Sequence, residues 1–258
     1  STTSVAYLTP LSHLRIARSR DVVTFSFDES PSLYPATEYE TFGIEDPRIT
    51  RLGSDYWINY TAVSERGVTT ALARTLDFTS YEREGVIFCP DNKDVCIFPE
   101  RIDGRYYALH RPSSGFGRNE IWIASSLDLI RWGEHRHLMG VRSGYWDSGR
   151  VGGSLVPFET DDGWIEIYHG ATPDHRYALG AVLLDRAEPW RVLARSKRPI
   201  MEPEADYELN GFLGNVIFSC GGFVRDETVH LYYGASDTTT CYAEVPLEHI
   251  YDSLEPTE

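Results

Sequence analysis

Apolar and polar residues alternate in short runs along this chain, and apolar residues at helical spacing are scarce. The runs are rich in Val, Ile, Tyr, Trp and Thr and are bounded by Gly, Asp and Pro, which predicts strands joined by turns. One phrase recurs: a small-residue strand that closes on an aspartate. It occupies residues 14–21, 71–77 and 122–128, and returns in looser form at 180–185 and 241–246. Its alanines Ala17, Ala73, Ala124, Ala181 and Ala243 mark a repeat with intervals of 56, 51, 57 and 62 residues.

A second phrase precedes each later copy, a turn followed by alternating aromatic and apolar residues, at 55–60, 104–109, 163–168 and 228–233. Alternation at period two with turn residues at one end describes a β-meander. A four-stranded unit repeated at this spacing is the sequence form of a propeller blade. The expectation is therefore an all-β, five-bladed β-propeller, with residues 1–258 forming a single domain. A β-sandwich whose hairpins resemble one another by accident is the alternative. Ala17 comes too early for two strands to precede it, so the first blade is expected to be incomplete at the N-terminus.

Composition narrows the function. Hydrophobic residues make up 41% of the chain and aromatics 13%, enough for a large core. No apolar run reaches membrane-spanning length, and residues 1–4 do not begin a signal peptide. The four cysteines, Cys89, Cys96, Cys220 and Cys241, have neither CxxC nor zinc-ligand spacing and are read as reduced thiols packed in strands. A cytoplasmic location follows as an expectation. The net charge of −15 argues against nucleic acid and anionic membranes as partners, because such a surface repels phosphates at long range. A local cluster of cations can still hold one small anion.

Polar residues at matching ends of successive blades are the candidates for a single site. The first group is Glu45, Asp46, Pro47 and Arg48. Proline fixes the local geometry, and Arg48 can pair with one acid while the other transfers a proton; the competing reading is a structural Arg–carboxylate pair. The second group holds Lys93, Asp94, His110 and Arg111, the third Trp146, Asp147 and Arg150, and the fourth Tyr168, His169 and Gly170. Taken singly each of these is an ordinary solvated or structural group. Four basic residues at equivalent blade positions instead make an anion pocket, arginine supplying paired donors and lysine a point charge. Asp237 ends a strand and can accept hydrogen bonds from a sugar hydroxyl. Trp57, Trp122, Trp146 and Trp164 can stack on sugar faces, though most are read as core. No metal site is expected, because no His, Asp or Glu cluster has ligand spacing.

At these residues the chain resembles glycoside hydrolase family 130, the mannoside phosphorylases and related β-mannosidases. The resemblance runs from about Leu11 to about Ile250, and its motifs are Glu45 to Arg48, Lys93–Asp94, Phe98 to Glu100 and His110 to Pro112. They continue through Trp146 to Ser148 with Arg150, Tyr168 to Gly170, Phe218 to Gly221 and Tyr232 to Ala235. The resemblance implies a five-bladed propeller and an inverting mechanism. It implies Asp46 as the general acid, its proton relayed to the glycosidic oxygen through a hydroxyl of the mannosyl unit. Lys93, Arg111, Arg150 and His169 match the positions that bind phosphate, and Asp237 matches a position that contacts the mannosyl unit. Family members carry further residues before the point where this chain starts, which supply early strands of the first blade together with an Asn and an Arg for the mannosyl unit. Residues 1–10 do not replace them.

The expected function is an inverting glycoside phosphorylase: inorganic phosphate cleaves a β-1,4- or β-1,2-linked mannoside and α-mannose 1-phosphate is released. The filled basic set favours phosphate over water as nucleophile. Two alternatives remain. One is an inverting β-mannosidase that uses water, with Glu45, Glu100 and Glu159 as candidate bases; the other is a non-catalytic carbohydrate-binding propeller. No organic cofactor is expected, phosphate being a co-substrate. A homo-oligomer that completes the open first blade is a further expectation.

Overall fold

A computed structural model of the chain describes residues 12–113, 115 and 117–257; the reading of residues 1–10 lies outside the described residues. They divide into two compact units, one up to Lys93 and one from Asp94 on.

The first unit opens with a two-stranded hairpin, β1 (Ala17–Ser19) and β2 (Phe25–Phe27). A four-stranded antiparallel meander follows: β3 (Gly43–Leu52), β4 (Asp55–Ser64), β5 (Gly67–Thr75) and β6 (Glu82–Phe88). Gly53, at φ 64°, sits in the tight β3–β4 turn, where a side chain would strain the backbone. Ile44, Tyr60, Ala62, Ala71 and Ala73 of this sheet pack with Leu33 into one small core.

The second unit holds three sheets. The first is β7 (Asn92–Ile97), β8 (Tyr106–Pro112), β9 (Ile121–Ser126) and β10 (Trp132–Met139). The next contains β11 (Arg150–Gly153), β12 (Phe158–Thr160), β13 (Gly163–Ala171), β14 (Tyr177–Leu184) and β15 (Val192–Ser196). A short helix α1 (Asp206–Leu209) leads to β16 (Ile217–Arg225), β17 (Thr228–Ala235) and β18 (Thr239–Pro246). After helix α2 (Leu247–Ser253), strand β19 (Leu254–Pro256) returns to pair with β15.

Strand β13 shows why these sheets stack face to face. It is buried at every residue. Trp164 and Tyr168 join Phe98, Leu109, Ile121 and Ile123 of the preceding sheet in one core. The intervening Ile165 and Ile167 join Ile217, Val229, Leu231 and Ala235 of the following sheet in another. Period-two alternation thus sends successive side chains to opposite neighbours. Each fully buried Ile or Leu contributes roughly 1.5–3 kcal/mol. The β16–β17 turn places Asp226 and Glu227 at positive φ, the backbone twist that closes a two-residue hairpin.

The repeat read from the sequence is the observed one. Ala73, Ala124 and Ala181 fall on the third strands β5, β9 and β14 of their meanders, and Ala243 falls on β18. The blade count is corrected. Among the described residues, four sheets have three or more strands, not five, because the Ala17 copy of the phrase forms only the two-stranded β1–β2 hairpin. All four cysteines are free thiols; Cys89 is exposed just beyond β6 rather than packed in a strand. Among the described residues, no helix is long and apolar enough to cross a membrane.

Candidate active site

In the first unit the β3–β4 ladder breaks around Asp46. Glu45 pairs with Thr61 and Arg48 with Asn59, so Asp46 and Pro47 together stand opposite one residue, Tyr60. This is a β-bulge, a device that re-aims a side chain out of the sheet. Asp46 adopts φ 52°, a left-handed conformation that aspartate tolerates better than most residues. The buried Arg48 guanidinium donates to the Asp46 carbonyl at 3.0 Å. Arg48 therefore holds the bulge through the backbone, which the pattern of charges alone did not reveal. Lys93 Nζ lies 3.3 Å from Asp46 Oδ2 and 3.9 Å from Glu45 Oε1, and all three side chains are about a quarter exposed. An acid within reach of solvent and beside a lysine results.

In the second unit Asp94, on β7, is fully buried and gathers two of the expected cations. Arg111, near the end of β8, places Nη1 2.8 Å from Asp94 Oδ2. His169, on β13, places Nε2 3.3 Å from the same oxygen and 3.2 Å from Arg111 Nη1. Nε2 can accept from Arg111 or donate to Asp94, but it cannot do both at once. The other ring nitrogen, Nδ1, is 3.3 Å from Ser154 Oγ. Arg111 Nε is buried and has no hydrogen-bond partner among the described residues, which leaves an unspent cationic donor. The cluster needs a glycine beside it. A Cβ on Gly152 would collide with Asp94 Oδ2 and come within 2.6 Å of His169 Nε2.

Arg150, the first residue of β11, joins this cluster through Tyr177. Its Nη1 donates to the Tyr177 hydroxyl at 2.9 Å, and its guanidinium carbon lies 5.6 Å from the centre of the tyrosine ring. The same ring stacks near His169 at 6.0 Å between centroids, and Phe218 packs against the imidazole at 4.7 Å. Arg111, His169 and Arg150 thus share one neighbourhood. Asp237 lies in an exposed turn between β17 and β18, at φ 52°. The turn is three residues beyond Gly234, which pairs with Phe218, so it lies at the end of the sheet that packs on His169.

Other candidates take structural places. Trp164 is buried against Phe98, and Trp146 stacks on Tyr168. Glu159 is exposed and paired with Arg186, while Glu100 is exposed at the end of its loop. Of the three candidate bases, only Glu45 stands beside Asp46 and Lys93. Asp147 is buried and receives Arg142, Arg195 and the Tyr168 hydroxyl, which anchors the segment before Arg150. One participant, Tyr177, escaped the sequence reading, because its role depends on strand register across the sheet. Asp94 stood in the second candidate group, but its part as the shared partner of Arg111 and His169 was not read. Among the described residues, no group of three or more His, Cys, Asp or Glu is placed to hold a metal ion.

Successive antiparallel meanders, each packed on the next within the second unit, are of the kind that build β-propeller blades. Comparison with known proteins gives the family. The chain belongs to glycoside hydrolase family 130: the family model described as beta-1,4-mannooligosaccharide phosphorylase matches residues 6–256. The chain is 55% identical over 251 residues to beta-1,2-mannobiose phosphorylase of Listeria innocua, covering 97% of this chain and 71% of that protein. It is 40% identical over 243 residues to 1,2-beta-oligomannan phosphorylase of Thermoanaerobacter sp., covering 93% and 80%. A solved structure of the Listeria innocua beta-1,2-mannobiose phosphorylase in complex with beta-1,2-mannobiose superposes with a TM-score of 0.94 at 54% identity, over 97% of this chain and 71% of that one.

Proposed function

We propose that this chain is an inverting phosphorylase that cleaves a β-1,2-linked mannoside with inorganic phosphate and releases α-mannose 1-phosphate. The observation that carries this reading is the 55% identity, over nearly the whole chain, to a beta-1,2-mannobiose phosphorylase. The second relative is also named for a 1,2-linked substrate, which favours β-1,2 over β-1,4 linkage.

In this reading a phosphate oxygen forms the new bond to C1 as the β-glycosidic bond breaks. The leaving oxygen takes a proton that originates on Asp46 and passes through a hydroxyl of the mannosyl unit. Asp46 suits the part because its bulge turns the carboxylate out of the sheet toward solvent. Arg111, His169 and Arg150 are the cations that hold phosphate, and Lys93 stands beside the acid Asp46. The unspent Arg111 Nε supports anion binding, since a buried cationic donor gains most from an anion that completes it. Asp237 accepts from a hydroxyl of the mannosyl unit. The β1–β2 hairpin is read as the outer half of a fifth blade, because Ala17 lies on β1 as its counterparts lie on third strands. Four free thiols fit a reducing, cytoplasmic setting.

Phosphorus NMR on a mixture of the protein, β-1,2-mannobiose and phosphate tests the reading. A new phosphomonoester resonance with the coupling of an α-anomer is expected. Free mannose with inorganic phosphate unchanged would point to a hydrolase instead.

A further inference from the structure

Ser154, the residue after β11, is fully buried, and its Oγ lies 3.3 Å from Nδ1 of the equally buried His169. The serine is held from its backbone. Its amide donates to Oε1 of the buried Glu166 at 2.9 Å and to the Ile167 carbonyl at 3.2 Å. Two glycines let β11 come this close. A Cβ on Gly152 would meet the His169 ring at 2.6 Å, and one on Gly153 would come within 2.6 Å of Cys96 Sγ and 3.3 Å of Glu166 Oε1. Strand β11 thus begins with Arg150 and delivers Ser154 just past its other end.

The two ring nitrogens of His169 face different chemistry. Nε2 lies 3.2 Å from Arg111 Nη1, which only donates, and 3.3 Å from Asp94 Oδ2, which as a carboxylate only accepts. It therefore has a partner whether it is bare or protonated. Nδ1 faces the Ser154 hydroxyl, whose lone pairs accept an N–H. The faces of the ring are covered by Tyr177 and Phe218. From this geometry we infer that Ser154 is a positioning residue: its hydroxyl keeps hydrogen on Nδ1, so that Nε2 is the nitrogen that changes state when phosphate binds. The inference rests on the proposed function, in which His169 is one of the cations around phosphate. Bare, Nε2 accepts from Arg111. Protonated from solvent, it donates to Asp94 or to phosphate, and the ring is then positive because Nδ1 already holds its hydrogen. A hydroxyl suits this place. A carboxylate at 154 would favour the charged ring at all times, and an apolar side chain would leave a buried N–H without an acceptor.

Nitrogen NMR of histidine-labelled protein, with the His169 ring assigned by its loss in His169→Gln, reads which nitrogen carries hydrogen. Wild type is expected to show a protonated Nδ1 with and without inorganic phosphate, and an Nε2 that gains hydrogen only with it. Ser154→Ala moves the hydrogen of the phosphate-free protein to Nε2, where Asp94 accepts it, and raises the KM for phosphate roughly tenfold. Its kcat at saturating phosphate falls by no more than about threefold. Ser154→Thr, which keeps the hydroxyl, restores the wild-type spectrum and brings the KM back within about twofold. A bare Nδ1 in wild type overturns the inference. So does a Ser154→Ala protein that melts lower while its spectrum and phosphate KM stay unchanged. If the added methyl of Ser154→Thr prevents folding, the spectra of wild type and Ser154→Ala decide alone. Failure of the two readings is told apart by the phosphate requirement. Wild type that cleaves β-1,2-mannobiose at full rate without phosphate removes the phosphorylase reading, while an Nδ1 hydrogen that is lost in Ser154→Ala leaves the positioning role standing.

Discussion

Asp94 Oδ2 lies 2.8 Å from Arg111 Nη1 in a place where neither side chain is more than a few per cent exposed, and His169 leans on the same pair. A carboxylate that is fully buried is stable there only with cations around it, and an arginine so buried depends on the carboxylate in turn. Phosphate binding in the proposed reaction would use these cations without dismantling the pair that positions them. Asp94 is in this sense a positioning residue.

The first prediction concerns that pair. Asp94→Asn leaves a buried guanidinium without its countercharge and lowers stability by about 3 kcal/mol. Arg111→Met alone costs a similar amount. The double variant loses clearly less than the sum, because neither charge is then stranded. Urea unfolding of the four proteins checks this. Strict additivity would mean that the pair is not coupled.

Gly152 is predicted to be intolerant of the smallest side chain. The new methyl would have to displace Asp94 or His169, the two groups that organise the cluster. Gly152→Ala is expected to lower phosphate-dependent turnover at least a hundredfold and stability by about 1–3 kcal/mol. Gly221→Ala, where nothing lies within 4 Å of the added carbon, serves as control and stays within about 0.5 kcal/mol of wild type. Initial rates and melting curves of the two variants decide the matter.

Tyr177→Phe removes one hydroxyl that accepts from Arg150 and preserves the ring beside His169. A lost hydrogen bond of this kind is worth about 0.5–1.5 kcal/mol, so the KM for phosphate rises roughly two- to tenfold. The kcat at saturating phosphate changes little, whereas Arg150→Ala lowers turnover at every phosphate concentration. Steady-state kinetics with phosphate varied over a wide range separates the two.

His110 gives the chain a pH dependence of its own. Burial, helped by the adjacent His135 at 3.1 Å, pushes its imidazole down to about 3. The unfolded chain takes up that proton near pH 6.5, and the folded chain refuses it until far lower pH. Stability therefore falls as pH drops from about 6.5 toward 3, by roughly 1.4 kcal/mol per pH unit from this group, and His110 contributes no slope above that window. His110→Asn flattens the curve across the same range. Denaturation midpoints measured from pH 7 to pH 4 in both proteins provide the comparison.

Much of the fold was legible because a propeller writes its period into the chain. Four of the phrase's alanines, Ala73, Ala124, Ala181 and Ala243, fall on third strands, and Ala73 and Ala181 lie inside cores where a small residue fits. The blade count was not fully legible: the phrase at 14–21 looks like the others but forms a hairpin of three-residue strands. At the site, sequence singled out Asp46, Lys93, Arg111, Arg150 and His169 by charge and position. It did not reveal that Arg48 grips a carbonyl, that Asp94 is the shared counter-ion, or that Tyr177 bridges Arg150 to His169. Each of these depends on a bulge or on cross-strand register, properties of paired strands that a single strand does not carry.

The most direct test of the central claim is the initial rate of β-1,2-mannobiose cleavage as phosphate is raised from none to saturation. The wild type and the Asp46→Asn and Arg111→Ala variants are followed by formation of α-mannose 1-phosphate and of free mannose. The account predicts no cleavage without phosphate, and equal amounts of the two products with it. It also predicts a loss of at least a hundredfold in Asp46→Asn and Arg111→Ala. Cleavage that proceeds at full rate without phosphate and yields mannose alone would contradict it.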